Sequence, residues 1–179
     1  TKDELALLIQ RRDSVTPLAD LDINEEIAGR YYQQRAIRAI AENFETAKQR
    51  KSLVVMATGA GKTRTTIALV ELLMQAKMVK RVLFLADRTA LVTQAANAFK
   101  QHLPNIDPVN LVTDGGEDSR VYVSTYQTMV GKIDEYQADG TRRFGVGHFD
   151  LVVIDEAHRS VYRKYRGIFE YFDSLLVGL

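Results

Sequence analysis

Five short apolar runs rich in β-branched residues recur along the chain, and most lead through a polar turn into apolar positions at helical spacing. SLVVMA (52–57) precedes a glycine loop and a helical pattern through TTIALVELLMQA (65–76). RVLFLA (81–86) precedes DRTALVTQAANAFKQHL (87–103), in which Leu91, Val92, Ala95 and Phe99 fall on one helical face. PVNLVT (108–113) and RVYVST (120–125) predict two further strands, the second leading into YQTMVGKI, and DLVVIDEA (150–157) predicts the fifth. Strands alternating with helices predict an α/β fold with a parallel sheet, and nearly continuous apolar strands predict helices on both of its faces.

Pro104, Pro108 and Gly115-Gly116 mark loops, and DEYQADGTRRFGVGH (134–148) reads as a polar loop before the fifth strand. Residues 1–25 are set apart as an N-terminal linker or helical segment, with DELALLIQRR as a helix ended by Pro17. Residues 26–179 form one domain.

The glycine loop, MATGAGKTRT (56–65), carries the chemistry. The general phosphate-loop pattern wants a glycine where this chain has Met56, but the parts that meet phosphate are present. Gly59 and Gly61 let the backbone turn tightly around Thr58 and Ala60 and bring N–H groups to phosphate oxygens. Lys62 is placed for the β- and γ-phosphates and the Thr63 hydroxyl for Mg²⁺, with the positive end of the following helix behind them. LVVIDEAH supplies an acid at a strand's carboxyl end: Asp155 for Mg²⁺ and Glu156 to orient and deprotonate an attacking water.

Composition narrows the partners. Net charge is +1, from 24 Lys plus Arg against 23 Asp plus Glu, so any nucleic-acid contact must be local. Without cysteine there is no disulfide framework or thiolate chemistry, and a reducing cytoplasm is compatible. No apolar run approaches the length of a membrane span, so no membrane partner is expected.

These motifs resemble those of the superfamily 2 helicases and translocases, whose first motif, A-x-T-G-x-G-K-T, does not demand the earlier glycine. ATGAGKT resembles that motif and DEAH the second, implying a RecA-like P-loop NTPase domain that uses ATP and Mg²⁺. RYYQQRAI (30–37) resembles the segment that holds adenine, implying Gln33 as the base contact with Arg30 and Tyr32 framing it. FLADRTALVTQ resembles a motif that contacts the nucleic-acid backbone, implying Arg88 and Gln94. VSTYQTM resembles another, implying Thr125 and Gln127.

The combination over about residues 27–179 is similar to the motor subunit of type I restriction enzymes. That resemblance implies an ATP-driven motor on double-stranded DNA, working with modification and specificity subunits. It also implies a later T-A-T motif, a second motor domain in cis with an arginine finger, and a PD-(D/E)xK nuclease. None of these is found in these residues, so the chain reads as part of a longer protein. RSVYRKYR (159–166) begins an amphipathic helix expected to bury Tyr162, Tyr165, Ile168 and Phe169. A repair or remodelling helicase would share every catalytic residue, and a nucleotide-gated DNA-binding module without turnover is a reading of a different class.

Overall fold

In the computed structural model, which describes residues 15–114 and 118–179, six parallel strands lie in the order β1-β6-β5-β2-β4-β3. They are β1 Lys51–Leu53, β2 Val82–Ala86, β3 Val109–Asn110, β4 Val121–Thr125, β5 Leu151–Ile154 and β6 Leu175–Gly178. The helices are α1 Tyr31–Glu45, α2 Lys62–Gln75, α3 Thr89–His102, α4 Tyr126–Ile133, α5 Arg159–Lys164 and α6 Arg166–Tyr171. The reading of 3–12 as a helix and of Gly115-Gly116 as a loop lies outside the described residues.

Side chains alternate across a strand, and here both sets are apolar. Val82, Phe84 and Ala86 of β2, with Val121 and Val123 of β4, join one core with α1, α2 and α3. Leu83 and Leu85 join a second core containing Tyr126, Met129, Val152, Ile154, Phe169 and Leu176, under α4 to α6. The sheet is therefore covered on both faces, as its continuous apolar strands require.

Four elements depart from the pattern-based expectation. The first strand, read as 52–57, covers only Lys51–Leu53, and Val55 beyond it is 91% exposed. β6 occupies Leu175–Gly178, where no strand was expected, and inserts between β1 and β5. β3 is only two residues long because Asn110 Oδ1 accepts from Val112 N–H at 3.0 Å and the Asp114 carboxylate accepts from Asn110 N–H at 2.9 Å. These side-chain bonds curl the backbone out of the ladder. The helix after β5 breaks at Tyr165 into α5 and α6, which re-phases its apolar face. Tyr165, Ile168 and Phe169 are buried as expected, but Tyr162 is 38% exposed and stacks on Phe169 while Val161 takes the interior position.

Residues 15–25 pack on the domain. Leu18 and Ile23 belong to the first core, Thr16 N–H donates to the Ala76 carbonyl, and Arg38 donates to the carbonyls of Leu18 and Leu21. The 134–148 segment also contributes to the interior: Phe144 is buried, and His148 lies edge-on to Tyr122, Phe144 and Phe149.

That aromatic cage has a pH consequence. Burial, with Arg81 adding to it, pushes His148 below the ordinary histidine value of 6.5, against smaller opposing contributions from Asp118 and Asp150. His102 is lowered too, chiefly by desolvation. At these two sites the unfolded chain binds more protons than the folded chain as the pH falls past that ordinary value, so each lowers stability on acidification. Denaturant midpoints measured from about pH 7 to pH 5 should fall for the parent and fall less steeply for His148→Leu. Equal slopes would show that the ring takes up its proton without leaving the cage.

Candidate functional site

Because every strand runs the same way, the loops after β1, β5, β2 and β4 all open on one edge of the sheet, the carboxyl edge where ligands bind in open α/β folds. Along it stand the glycine loop and Lys62, then Asp155 and Glu156, then Arg88, then Thr125 and Gln127.

The glycine loop turns on two left-handed residues, Gly59 at φ +78° and Gly61 at φ +86°, a region that other residues enter only at a cost. Gly61 also caps α2, so Lys62 and Thr63 open the helix with their N–H groups unpaid by any earlier turn. Thr65 and Thr66 return their hydroxyls to the carbonyls of Gly61 and Lys62, at 3.0 Å each, which satisfies them inside the core. Thr58 and Gly59 are exposed, and a Cβ built on Gly59 meets nothing within 4 Å, so the loop's outer side is open to a ligand.

The segment expected to contact adenine holds the loop in this structure. Gln33 is buried, accepts from Arg30 N–H at 3.2 Å and donates from Nε2 to the Ala60 carbonyl at 3.2 Å. Tyr32 donates its hydroxyl to the same carbonyl at 3.1 Å, and Arg30 donates to that hydroxyl at 2.7 Å. A Cβ on Gly61 would sit 2.5 Å from Gln33 Nε2, so the second glycine is also what lets the amide approach.

Across the opening, Glu156 adopts φ +55° and brings its carboxylate to 3.9 Å from Lys62 Nζ. At that distance the two charges face each other without a hydrogen bond. Asp155 Oδ1 accepts from Glu156 N–H at 3.1 Å. Desolvation first, and the neighbouring Glu156 charge second, raise the Asp155 carboxyl above its ordinary value. A cation at Asp155 would offset both effects. Thr63 and Asp155 offer oxygen donors only, the set Mg²⁺ takes alongside phosphate oxygens. No cluster of three or more His, Cys, Asp or Glu side chains that would hold a metal without a substrate exists among the described residues.

The other expected contacts differ in availability. Arg88 is exposed at the start of α3, Gln94 is exposed along that helix, and Gln127 is exposed in the first turn of α4. Thr125 is buried, and its hydroxyl caps α4 by accepting from Thr128 N–H at 3.1 Å. Sequence reading missed Tyr126, whose hydroxyl donates to the Asp155 carbonyl at 2.6 Å. The only signal was a tyrosine directly following a strand end.

The family described as "Type III restriction enzyme, res subunit" matches residues 26–179, which hold both the glycine loop and the DEAH turn. The chain belongs to that family. It is a superfamily 2 helicase-type motor domain related to the endonuclease subunits of type I restriction enzymes. It is 35% identical over 181 residues to the type I restriction enzyme EcoKI endonuclease subunit of Escherichia coli K12, covering 86% of this chain and 15% of that protein. To the EcoAI endonuclease subunit of Escherichia coli it is 37% identical over 150 residues, covering 81% and 18%. The chain thus spans less than a fifth of either relative's length. A solved fragment assigned as an HsdR subunit of a type I restriction enzyme from Vibrio vulnificus superposes with a TM-score of 0.58 at 28% identity, covering 83% of this chain and 25% of that one. The RecA-like fold of this ResIII domain agrees with that neighbour. No helix among the described residues is long and apolar enough to cross a membrane.

The hydrogen bond from Gln33 to the loop sets a test of its expected base contact. If the amide served the base alone, Gln33→Ala would weaken ATP and leave GTP untouched. Since it also restrains the phosphate loop, we expect both to weaken, by about ten-fold for loss of a buried hydrogen bond, and the preference for ATP to shrink. Titration with fluorescent analogues of each nucleotide measures this, and unchanged GTP affinity would remove Gln33 from the loop's support.

Proposed function

We propose that this domain binds Mg-ATP and hydrolyses it to drive double-stranded DNA translocation, as the motor part of a type I restriction enzyme's endonuclease subunit. The observation that supports this most is the Lys62 ammonium facing the Glu156 carboxylate at 3.9 Å across an open glycine loop. An ammonium for phosphate charge and a carboxylate for the attacking water are the two groups hydrolysis needs, and they face each other across the cleft.

The loop N–H groups around Gly59 and Gly61 bind the phosphates, and Lys62 offsets the charge that grows on the β- and γ-phosphate oxygens. Thr63 and Asp155 would hold Mg²⁺, which supplies further charge stabilisation there. Glu156 orients water in line with the γ-phosphate and accepts its proton. Gln33, with Arg30 and Tyr32, presents an amide to adenine. Arg88, Gln94 and Gln127 bind the DNA backbone through charge and amide donors, contacts that track a duplex without reading its bases. The Thr125 hydroxyl serves by fixing the first turn of α4. Modification and specificity subunits would complete the enzyme, with a second motor domain in cis supplying arginines opposite Lys62.

Two substitutions in the longer protein that contains this domain separate binding from chemistry. Glu156→Gln keeps the side chain's shape but cannot take the proton, so phosphate release should fall by roughly 10² to 10⁴ while Mg-ATP affinity stays at the parental value. Lys62→Ala should lose affinity itself. Brisk turnover by Glu156→Gln would assign the base elsewhere. An unaltered Kd in Lys62→Ala would move the nucleotide off the loop.

A further inference from the structure

Tyr126 is the first residue of α4, directly after the strand end that carries Thr125 and next to Gln127. Its side chain is wholly buried, and its hydroxyl donates to the Asp155 backbone carbonyl at 2.6 Å. β4 and β5 are not neighbours, because β2 lies between them. Two strand spacings amount to roughly 10 Å, so the ring reaches across the end of β2 to touch the DEAH turn. It is held flat against Tyr165, with ring centroids 4.8 Å apart and planes at 13°, and Phe169 stands edge-on to it. Burial carries the phenol far above its ordinary value, so the hydroxyl stays protonated and remains a donor.

The carbonyl it binds belongs to the peptide joining Asp155 to Glu156. The N–H of that same peptide donates to Asp155 Oδ1 at 3.1 Å. Turning the peptide plane therefore changes two things together: the Asp155 carboxylate loses its partner, and Glu156 leaves φ +55°, which swings its carboxylate away from Lys62. The Tyr126 hydroxyl holds the carbonyl side of that plane from a different element, α4. The donor sits in the same two-residue step as the groups proposed to meet DNA.

We propose that Tyr126 is a positioning residue that couples DNA engagement at Gln127 and the first turn of α4 to the placement of Glu156 for hydrolysis. Movement of the α4 N-terminus under load shifts the phenol, the phenol shifts the Asp155–Glu156 peptide, and the carboxylate enters or leaves its position opposite Lys62. The proposal rests on the motor reading above and adds the route by which DNA reaches the nucleotide.

The test uses the full-length protein containing this domain, with linear duplex DNA as the probe. Tyr126→Phe removes the hydroxyl and keeps the stacked ring; Tyr165→Phe keeps both the stack and the bond to Asp155. The ratio of DNA-stimulated to DNA-free phosphate release should fall about ten-fold in Tyr126→Phe, the rate equivalent of one neutral hydrogen bond. Mg-ATP and duplex affinities should stay within about two-fold of the parent, and Tyr165→Phe should keep the parental ratio. A parental ratio in Tyr126→Phe overturns the proposal. So does a parallel fall in both variants, or a loss of affinity matching the loss of rate, since either assigns the phenol to packing. A parent that DNA does not stimulate at all overturns the motor reading itself.

Discussion

β6 fixes the geometry on which the site depends, and it can do so because it ends in Gly178. The strand lies between β1 and β5, so the glycine loop and the DEAH turn leave the sheet two strand spacings apart, roughly 10 Å. That is the width a side chain from each side can close, and Lys62 and Glu156 do close it to 3.9 Å. Nothing bulky fits in the middle. A Cβ on Gly178 would stand 2.8 Å from the Ala157 Cβ and 3.0 Å from Leu53 Cδ1, so glycine is what allows the DEAH turn to fold over the end of β6. Ala157 N–H then donates to the Leu179 carbonyl and Leu179 N–H to the Ile154 carbonyl, at 3.0 Å each, tying the turn to the strand beside it.

Electrostatics completes the cleft. Asp155 sits against the sheet end, where loss of water and the adjacent Glu156 both disfavour its charge, while the Lys62 ammonium favours it less strongly. Two acids are thus held close with one lysine opposite them. If Lys62 serves phosphate oxygens as proposed, the carboxylates are left to share whatever positive charge comes with the nucleotide. On the proposed function, a site built this way would favour a metal-bound nucleotide over a bare one on charge grounds.

How much of this was legible in the sequence depended on the kind of signal. β2, β4 and β5 were legible because a strand buried on both faces is apolar along most of its length. α2 and α3 were legible because their apolar stripe repeats at helical spacing. The glycine loop and DEAH were legible because phosphate and water chemistry restrict residue type at fixed spacing. β6 was not: Leu175–Gly178 is four residues, too short to show a period, and follows a helix without a strong turn signal. Tyr162 was assigned to the interior by extending one helical phase through a break at Tyr165 that no glycine or proline marks at that position. The hold that Gln33 has on the loop was invisible for another reason. Its partner, the Ala60 carbonyl, is a backbone atom 27 residues away, and side-chain identity carries no trace of it.

The same distinction explains why Glu156 rather than Asp155 is the adjustable member of the pair. Asp155 continues β5: its N–H donates to the Leu85 carbonyl at 2.9 Å, and its own carboxylate is engaged by the next N–H. Glu156 has left the ladder and lies in the left-handed region, where a side chain with a Cβ is held only by its surroundings. Those surroundings include the Asp155 bond behind it, the His158 N–H donating to its carbonyl at 2.7 Å, the Tyr126 hydroxyl on the preceding peptide, the Ala157 N–H on the Leu179 carbonyl and the Lys62 ammonium at 3.9 Å. The acid proposed to hold Mg²⁺ is therefore anchored in the sheet, and the acid proposed to handle water stands on a strained turn. Rigid charge placement and an adjustable base are different mechanical requirements, and on the proposed mechanism two consecutive residues can meet them because the ladder hydrogen bonds stop at Asp155.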